Sequence, residues 1–184
     1  SQLNIKRKKN NYSINSKIFD GAKILDRILF SKSEGNFFDI FEKLNSKVSI
    51  NFNTIYITNE DYLNSFKADI VVNNNQIKDL ILSSQFSTKE DLKLSIKTNS
   101  NNERITDLFA GNAKPLVKKY DFIKGFEGGY LKFDSIEKNK VSNSNLKIFD
   151  FKLKEVPALT KLLTLASLQG IADLLTGEGI RFNE

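Results

Sequence analysis

The chain has no cysteine, histidine, methionine or tryptophan, and only two prolines and nine glycines in 184 residues. Without cysteine it forms no disulfide and offers no thiolate nucleophile. Without cysteine and histidine together, a zinc site of the usual kind has no ligands. A triad that shuttles protons through histidine is excluded for the same reason. Carboxylate pairs, Ser–Lys pairs and oxygen-ligand metal sites are what remains for catalysis. The lack of cysteine fits an oxidising or a reducing compartment equally. The chain does not begin with methionine, and a strand pattern is under way at Phe182-Asn183-Glu184. It is therefore expected to be a segment of a longer protein, so a missing signal peptide or anchor says nothing about the parent.

Charge is also in short supply as a signal. A net charge of +6 with a pI near 9.3 gives mild attraction to anionic surfaces. Lysine is spread along the chain, and the joint abundance of Lys, Asn, Ile and Phe is what AT-rich codon usage produces. The one tight cluster, Lys6-Arg7-Lys8-Lys9, reads as a solvated strand face. Tyr12, Tyr56, Tyr62 and Tyr120 among lysines would suit nucleic-acid stacking. Phenylalanine dominates the aromatics, however, 15 against 5 tyrosines, and falls mostly on the apolar side of alternating segments. No nucleic-acid partner is expected.

The acidic residues give no catalytic constellation. Asp20 with Asp26, or Glu60 with Asp61, are the pairs to consider as acid and base, but most acids lie in turn-like stretches outside apolar surroundings. Gly125, Gly128 and Gly129 precede a strand pattern rather than a helix, and Gly177-Glu178-Gly179 follows a helical one. Neither order fits a phosphate-cradling loop, and both read as turn glycines. No enzyme activity, cofactor or metal is expected.

What the chain does have is alternation. Leu3 and Ile5 begin one period-two run, and Ile14 and Ile18 lie on another. Val48, Ile50 and Phe52 alternate with Ser49, Asn51 and Asn53. Ala68, Ile70 and Val72 run into the turn Asn73-Asn74-Asn75, which leads to Ile77–Phe86 as a hairpin. Leu92, Leu94 and Ile96 alternate with lysine and serine. Leu131 and Phe133 follow Gly128-Gly129, and Phe149, Phe151 and Leu153 alternate with Asp150 and Lys152. One apolar and one wet face per strand predicts antiparallel pairing, and the short connections predict a meander of hairpins. Residues 1–110 are expected to be mostly strands.

Helical spacing is confined to a few segments. Residues 24–30 fit a short turn of helix, 36–44 fit a helix or a strand, and Pro115–Tyr120 fits a short helix with proline in its first turn. The strongest pattern runs from Pro157 to Gly177, with Leu159, Leu162, Leu163 and Ala166 on one face and Ser167 as N-cap of a second helix. Lys161, Gln169 and Asp173 interrupt it, so a helical hairpin near 157–176 is expected rather than a membrane span. This little helix cannot cover a broad apolar sheet face. The face either curls into a closed core or stays open as a trough.

The segment Ile148-Phe149-Asp150-Phe151-Lys152-Leu153-Lys154-Glu155-Val156-Pro157, its Leu-rich continuation, and Ser167-Leu168-Gln169-Gly170 through Gly177-Glu178-Gly179-Ile180-Arg181-Phe182 resemble a known family. They are similar to the C-terminal AsmA-like region of alphaproteobacterial envelope proteins related to YhdP and TamB. Residues 111–120 and Ile123–Leu131 are similar to the family's preceding short helix and Gly-Gly strand. Before about residue 100 the likeness is limited to alternation and the element at 20–29. The dense Asn and Lys content departs from the family there.

The resemblance implies one segment of a larger periplasmic domain, with residues 111–184 as its C-terminal portion. The fold it implies is mainly β, a long curved antiparallel sheet forming an open trough, with a short C-terminal helical hairpin. Anchoring to the bacterial inner membrane would come from a part of the protein outside this chain. The trough would hold phospholipid acyl chains in transit between inner and outer membranes, and the family supplies no catalytic residues. The expected floor comprises Val48, Ile50 and Phe52, then Ala68, Ile70 and Val72. Leu92, Leu94 and Ile96 continue it, followed by Leu131 and Phe133, then Phe149, Phe151 and Leu153. The alternative is a non-catalytic envelope scaffold that assists outer-membrane protein assembly through protein partners, with the apolar face packed as a core.

Overall fold

The computed structural model describes residues 2–22, 45–74, 76–120, 125–139, 141–154 and 180–182. The helices expected at 24–30, 36–44 and 157–176 lie outside these residues.

Ten strands form one open sheet whose spatial order follows the chain. They are β1 (Asn4–Lys8), β2 (Asn11–Asp20), β3 (Ser46–Tyr56), β4 (Tyr62–Asn73), β5 (Gln76–Phe86), β6 (Asp91–Thr98), β7 (Arg104–Ala110), β8 (Phe126–Lys138), β9 (Val141–Leu153) and β10 (Ile180–Phe182). The mainly β fold expected from alternation is what the chain adopts. Asparagine serves three of the left-handed turn positions. Two-residue turns that match strand twist require positive φ, which Asn tolerates well. Asn74 (φ 47°) and Asn139 (φ 51°) take that conformation in the β4–β5 and β8–β9 turns, and Asn102 (φ 58°) does so before β7.

The meander fails at one place. β2 and β3 are parallel neighbours, with Ile14 beside Ile50 and Phe19 beside Ile55. Every other adjacent pair is antiparallel. Parallel neighbours need a connection of a dozen residues or more, and the chain from Gly21 to Asn45 provides it. The turn-like glycines are corrected in part: Gly125 (φ 68°) does lie in the turn before β8, but its two neighbours do not. Gly128 (φ 68°) and Gly129 (φ 73°) lie inside β8, facing a β9 segment that also bends at Asp150 (φ 51°). A Cβ on Gly129 would meet the Phe149 carbonyl at 2.8 Å and the Phe151 Cβ at 2.9 Å, so only glycine fits this left-handed kink.

The buried cluster lies at one end of the apolar face. Phe52, Ile55, Ile57, Leu63, Phe86, Leu92, Ala110, Phe126 and Leu131 meet Ala113 and Val117 there. Val117 belongs to the helix Lys114–Tyr120, where the sequence places one, with Pro115 in its first turn. The Ala113 N–H donates to the Gly129 carbonyl at 2.8 Å, and Lys118 pairs with Glu60 in the β3–β4 turn at 2.7 Å. These ties reach from β8 to the β3–β4 turn over β5, β6 and β7, so the apolar face is concave about the helix. The helix closes that end of the concavity.

Candidate apolar binding face

Strand register determines which side chains share a face, because a single-residue slip inverts the whole set. One cross-strand line on the concave side is apolar at every strand from β1 to β9. It starts at Ile5 and Ile14, passes Ile50, Ala68 and Leu82, and continues through Leu94, Leu108, Phe133 and Leu146. Eight inter-strand steps of about 4.8 Å make this line roughly 38 Å long. Its ends are open: Ile5 is 57% and Leu146 50% exposed, whereas Ala68 in the middle is 3% exposed.

Two parallel lines flank it. Towards the helix, Phe52 lies beside Phe66, and Leu92, Ala110, Leu131 and Ile148 continue on β6 to β9. Phe66 stacks on Phe52, which stacks on Phe19, with centroids 6.0 and 4.8 Å apart. Away from the helix, the third line is Tyr12, Val48, Ile70, Leu80 and Ile96, and then changes character. On β7, β8 and β9 it reads Thr106, Ser135 and Ser144. The Ser135 and Ser144 hydroxyls lie 2.8 Å apart, and Ser135 is buried. Val72, beside Ser46, lies further along, and on β7 its counterpart is Arg104, between Thr98 and Glu137.

The structure thus brings thirteen of the fourteen expected floor residues to one face. Phe151 and Leu153 join it beside Phe126, with the Phe126 and Phe151 rings stacked at 5.1 Å. Phe149 does not. It stacks on Tyr130 at 4.8 Å, and Lys132 lies 5.7 Å above its ring, on the opposite face. The reason is the left-handed backbone at Asp150, opposite Gly128 and Gly129, which breaks alternation between Phe149 and Phe151 without changing the pairing register. Ile14, Phe66, Leu80, Leu82, Leu108, Phe126, Leu146 and Ile148 also line the face although sequence reading left them out. Leu80 and Leu82 were legible as alternation within Ile77–Phe86. Leu108 was not, because Ile105 and Phe109 offer the opposite phase equally well.

The other face is mixed: one line holds Ser49, Asp69, Ser95, Asp107, Asp134 and Asn145 with the exposed Ile81 between Asp69 and Ser95, and Phe109, Tyr130 and Phe149 meet as aromatic neighbours further along. Serine and asparagine donate to its carboxylates, Ser49 to Asp69 at 2.6 Å and Asn145 to Asp134 at 3.3 Å. Titrating groups that depart from their ordinary values sit at edges and turns. The hydrogen bond from Lys118 holds Glu60 below the usual carboxylate range, and Glu60 in turn raises Lys118. Asn99 and Lys138 lower Glu103, and Lys154 lowers Glu127. These pairs are solvent-exposed and add little to stability. Of the carboxylate pairs considered from sequence, Glu60 turns to Lys118 while Asp61 accepts from Thr58 in its own turn. Among the described residues no group of three or more acidic side chains is arranged to hold a metal. No described helix is long and apolar enough to cross a membrane.

No protein-family model, curated protein or solved structure matches this chain.

Proposed function

We propose that the concave face holds the acyl chains of phospholipid, as a segment of a bridge-like carrier between the inner and outer membranes of a bacterial envelope. The observation that carries this reading is the apolar line that no polar residue breaks across nine strands. It runs across the strands, along the length of the sheet, and is open at both ends. A surface for one small ligand needs a pocket, whereas a surface for sliding chains needs continuity. Each CH₂ removed from water contributes about 0.8 kcal/mol, so partial cover along such a line retains a chain without any specific contact. The resemblance of residues 148–182 to AsmA-like envelope proteins supports the same reading, including a periplasmic location and an anchor elsewhere in the parent protein. On this reading the protein has no catalytic role.

An environment-sensitive fluorescent fatty acid tests it. Binding with a blue-shifted emission, displaced by phospholipid and lost in a folded Leu94→Asp variant, is the expected result. Equal binding by Leu94→Asp would remove the line from the mechanism.

The scaffold reading has one observation in its favour. Ala68, Val72, Leu80 and Ile96 are at most 8% exposed, as core residues are. It predicts no binding of the fluorescent acid to the native fold, and docking of envelope proteins through other surfaces.

A further inference from the structure

We propose that the polar stretch of the concave face on β7 to β9 is a phosphate-binding site, with Arg104 as its cation and Thr106, Ser135 and Ser144 as hydroxyl donors. The proposal rests on the acyl-chain reading for what lies beside the site, and names the group the site recognises.

Arg104 shares its face with Leu108 and Ala110 by alternation along β7, and it lies between Thr98 and Glu137 in the ladder. Its Nε is enclosed yet has no hydrogen-bond partner, the one such side-chain atom among the described residues. A guanidinium stays charged at any physiological pH, and a buried N–H without an acceptor is unfavourable. Its planar fork matches a phosphate oxygen pair better than any neutral acceptor does. Thr106 is the next residue on the same face, and Ser135 and Ser144 extend the hydroxyl line on β8 and β9; these two hydroxyls share one hydrogen bond at 2.8 Å, which leaves one of their protons for an anion. Hydroxyl donors add hydrogen bonds to an anion without adding charge. The apolar line passes immediately beside them, at Leu108, Phe133 and Leu146. An amphiphile with its chains on that line would present its headgroup phosphate to Arg104.

Glu137 sharpens the inference. It faces Arg104 directly across the ladder and opposes any anion bound there. Replacing it should strengthen phosphate binding, which a purely structural Arg104 would not predict.

The test measures uptake by the full 184-residue chain from vesicles of phosphatidylglycerol, uptake of dispersed diacylglycerol with the same chains, and calorimetric binding of inorganic phosphate. The wild type is expected to take up phosphatidylglycerol at least fivefold better than diacylglycerol. Arg104→Gln should abolish that preference and keep diacylglycerol uptake, while Glu137→Gln should enhance the preference. Circular dichroism confirms the sheet in each variant, and Glu137→Gln serves alone if Arg104→Gln does not fold. Equal uptake of both lipids by the wild type overturns the phosphate site and leaves the acyl-chain reading standing. Uptake of neither lipid, with inorganic phosphate bound by the wild type and not by Arg104→Gln, supports the phosphate site and overturns the acyl-chain reading. An unchanged preference in folded Arg104→Gln, or in Glu137→Gln, overturns the assignment.

Discussion

The β3–β6 half of the concave face and the β7–β9 half share the apolar line but differ beside it. On β3 to β6 the next line is Val48, Ile70, Leu80 and Ile96, whereas on β7 to β9 it is Thr106, Ser135 and Ser144. On the side away from the helix the first half therefore carries a second apolar line where the second half is bordered by hydroxyls and Arg104. Strand pairing runs on through both halves, and the difference on this line is one of side-chain chemistry. It teaches that one sheet can be a greasy floor along its length and present a polar rim at one side of part of it.

The largest expected effect lies at the closed end, in the buried cluster that the helix joins. Phe86 is 2% exposed. Phe86→Ala should cost about 3–5 kcal/mol, as deletion of a buried aromatic does. Leu146→Ala, at the open edge of the second half, should cost much less because Leu146 is half exposed. Urea denaturation of the two variants measures both. Similar losses would show that the edge of β9 is buried in solution.

Gly129→Ala comes next. The residue sits at φ 73° with a carbonyl 2.8 Å from where its Cβ would be. The left-handed conformation alone costs about 1–2 kcal/mol for alanine, and the clash adds to it. Thermal unfolding checks this, and a neutral outcome would mean that β8 runs straight and Phe149 returns to the concave face.

A charge placed in the deeper half should block acyl binding more than a charge in the polar-rimmed half. Ile70→Asp is expected to reduce fluorescent fatty-acid binding at least tenfold, while Thr106→Asp reduces it severalfold less. Titration with the probe ranks them, and equal effects would erase the distinction between the halves.

The smallest effect is in pH. Lys118 lowers the pKa of Glu60 from its ordinary 4.5. A carboxylate with a folded pKa below its unfolded one stabilises the fold above the unfolded value. Its contribution is therefore complete above about pH 4.5 and disappears as pH falls through the lowered pKa. The tie between the helix and the β3–β4 turn should loosen there, and a Glu60 side-chain NMR titration reads it directly. Glu60→Gln should remove this pH response and leave acyl binding unchanged.

Much of the sheet was legible because alternation is a local property. Val48-Ile50-Phe52 and Leu92-Leu94-Ile96 declare their face without reference to any partner, and both lie where they were expected. What sequence reading missed was non-local or phase-breaking. The parallel β2–β3 pair depends on what residue 11 lies beside, which no local pattern encodes. Phe149 was assigned to the wrong face because left-handed backbone at Asp150 turns the alternation by one, which no local apolar pattern reveals. Arg104 was passed over because an arginine at the start of a short strand looks like a solvated edge.

The most direct test of the central claim, that the concave face is a lipid surface rather than a sealed core, is mass spectrometry of an organic extract from the purified, folded protein, beside a β protein of similar size. The account predicts phospholipid near one or more molecules per chain, reduced in Ile70→Asp. A well-folded protein that carries no lipid above the control would contradict it, and would make the apolar line the interior of an ordinary core.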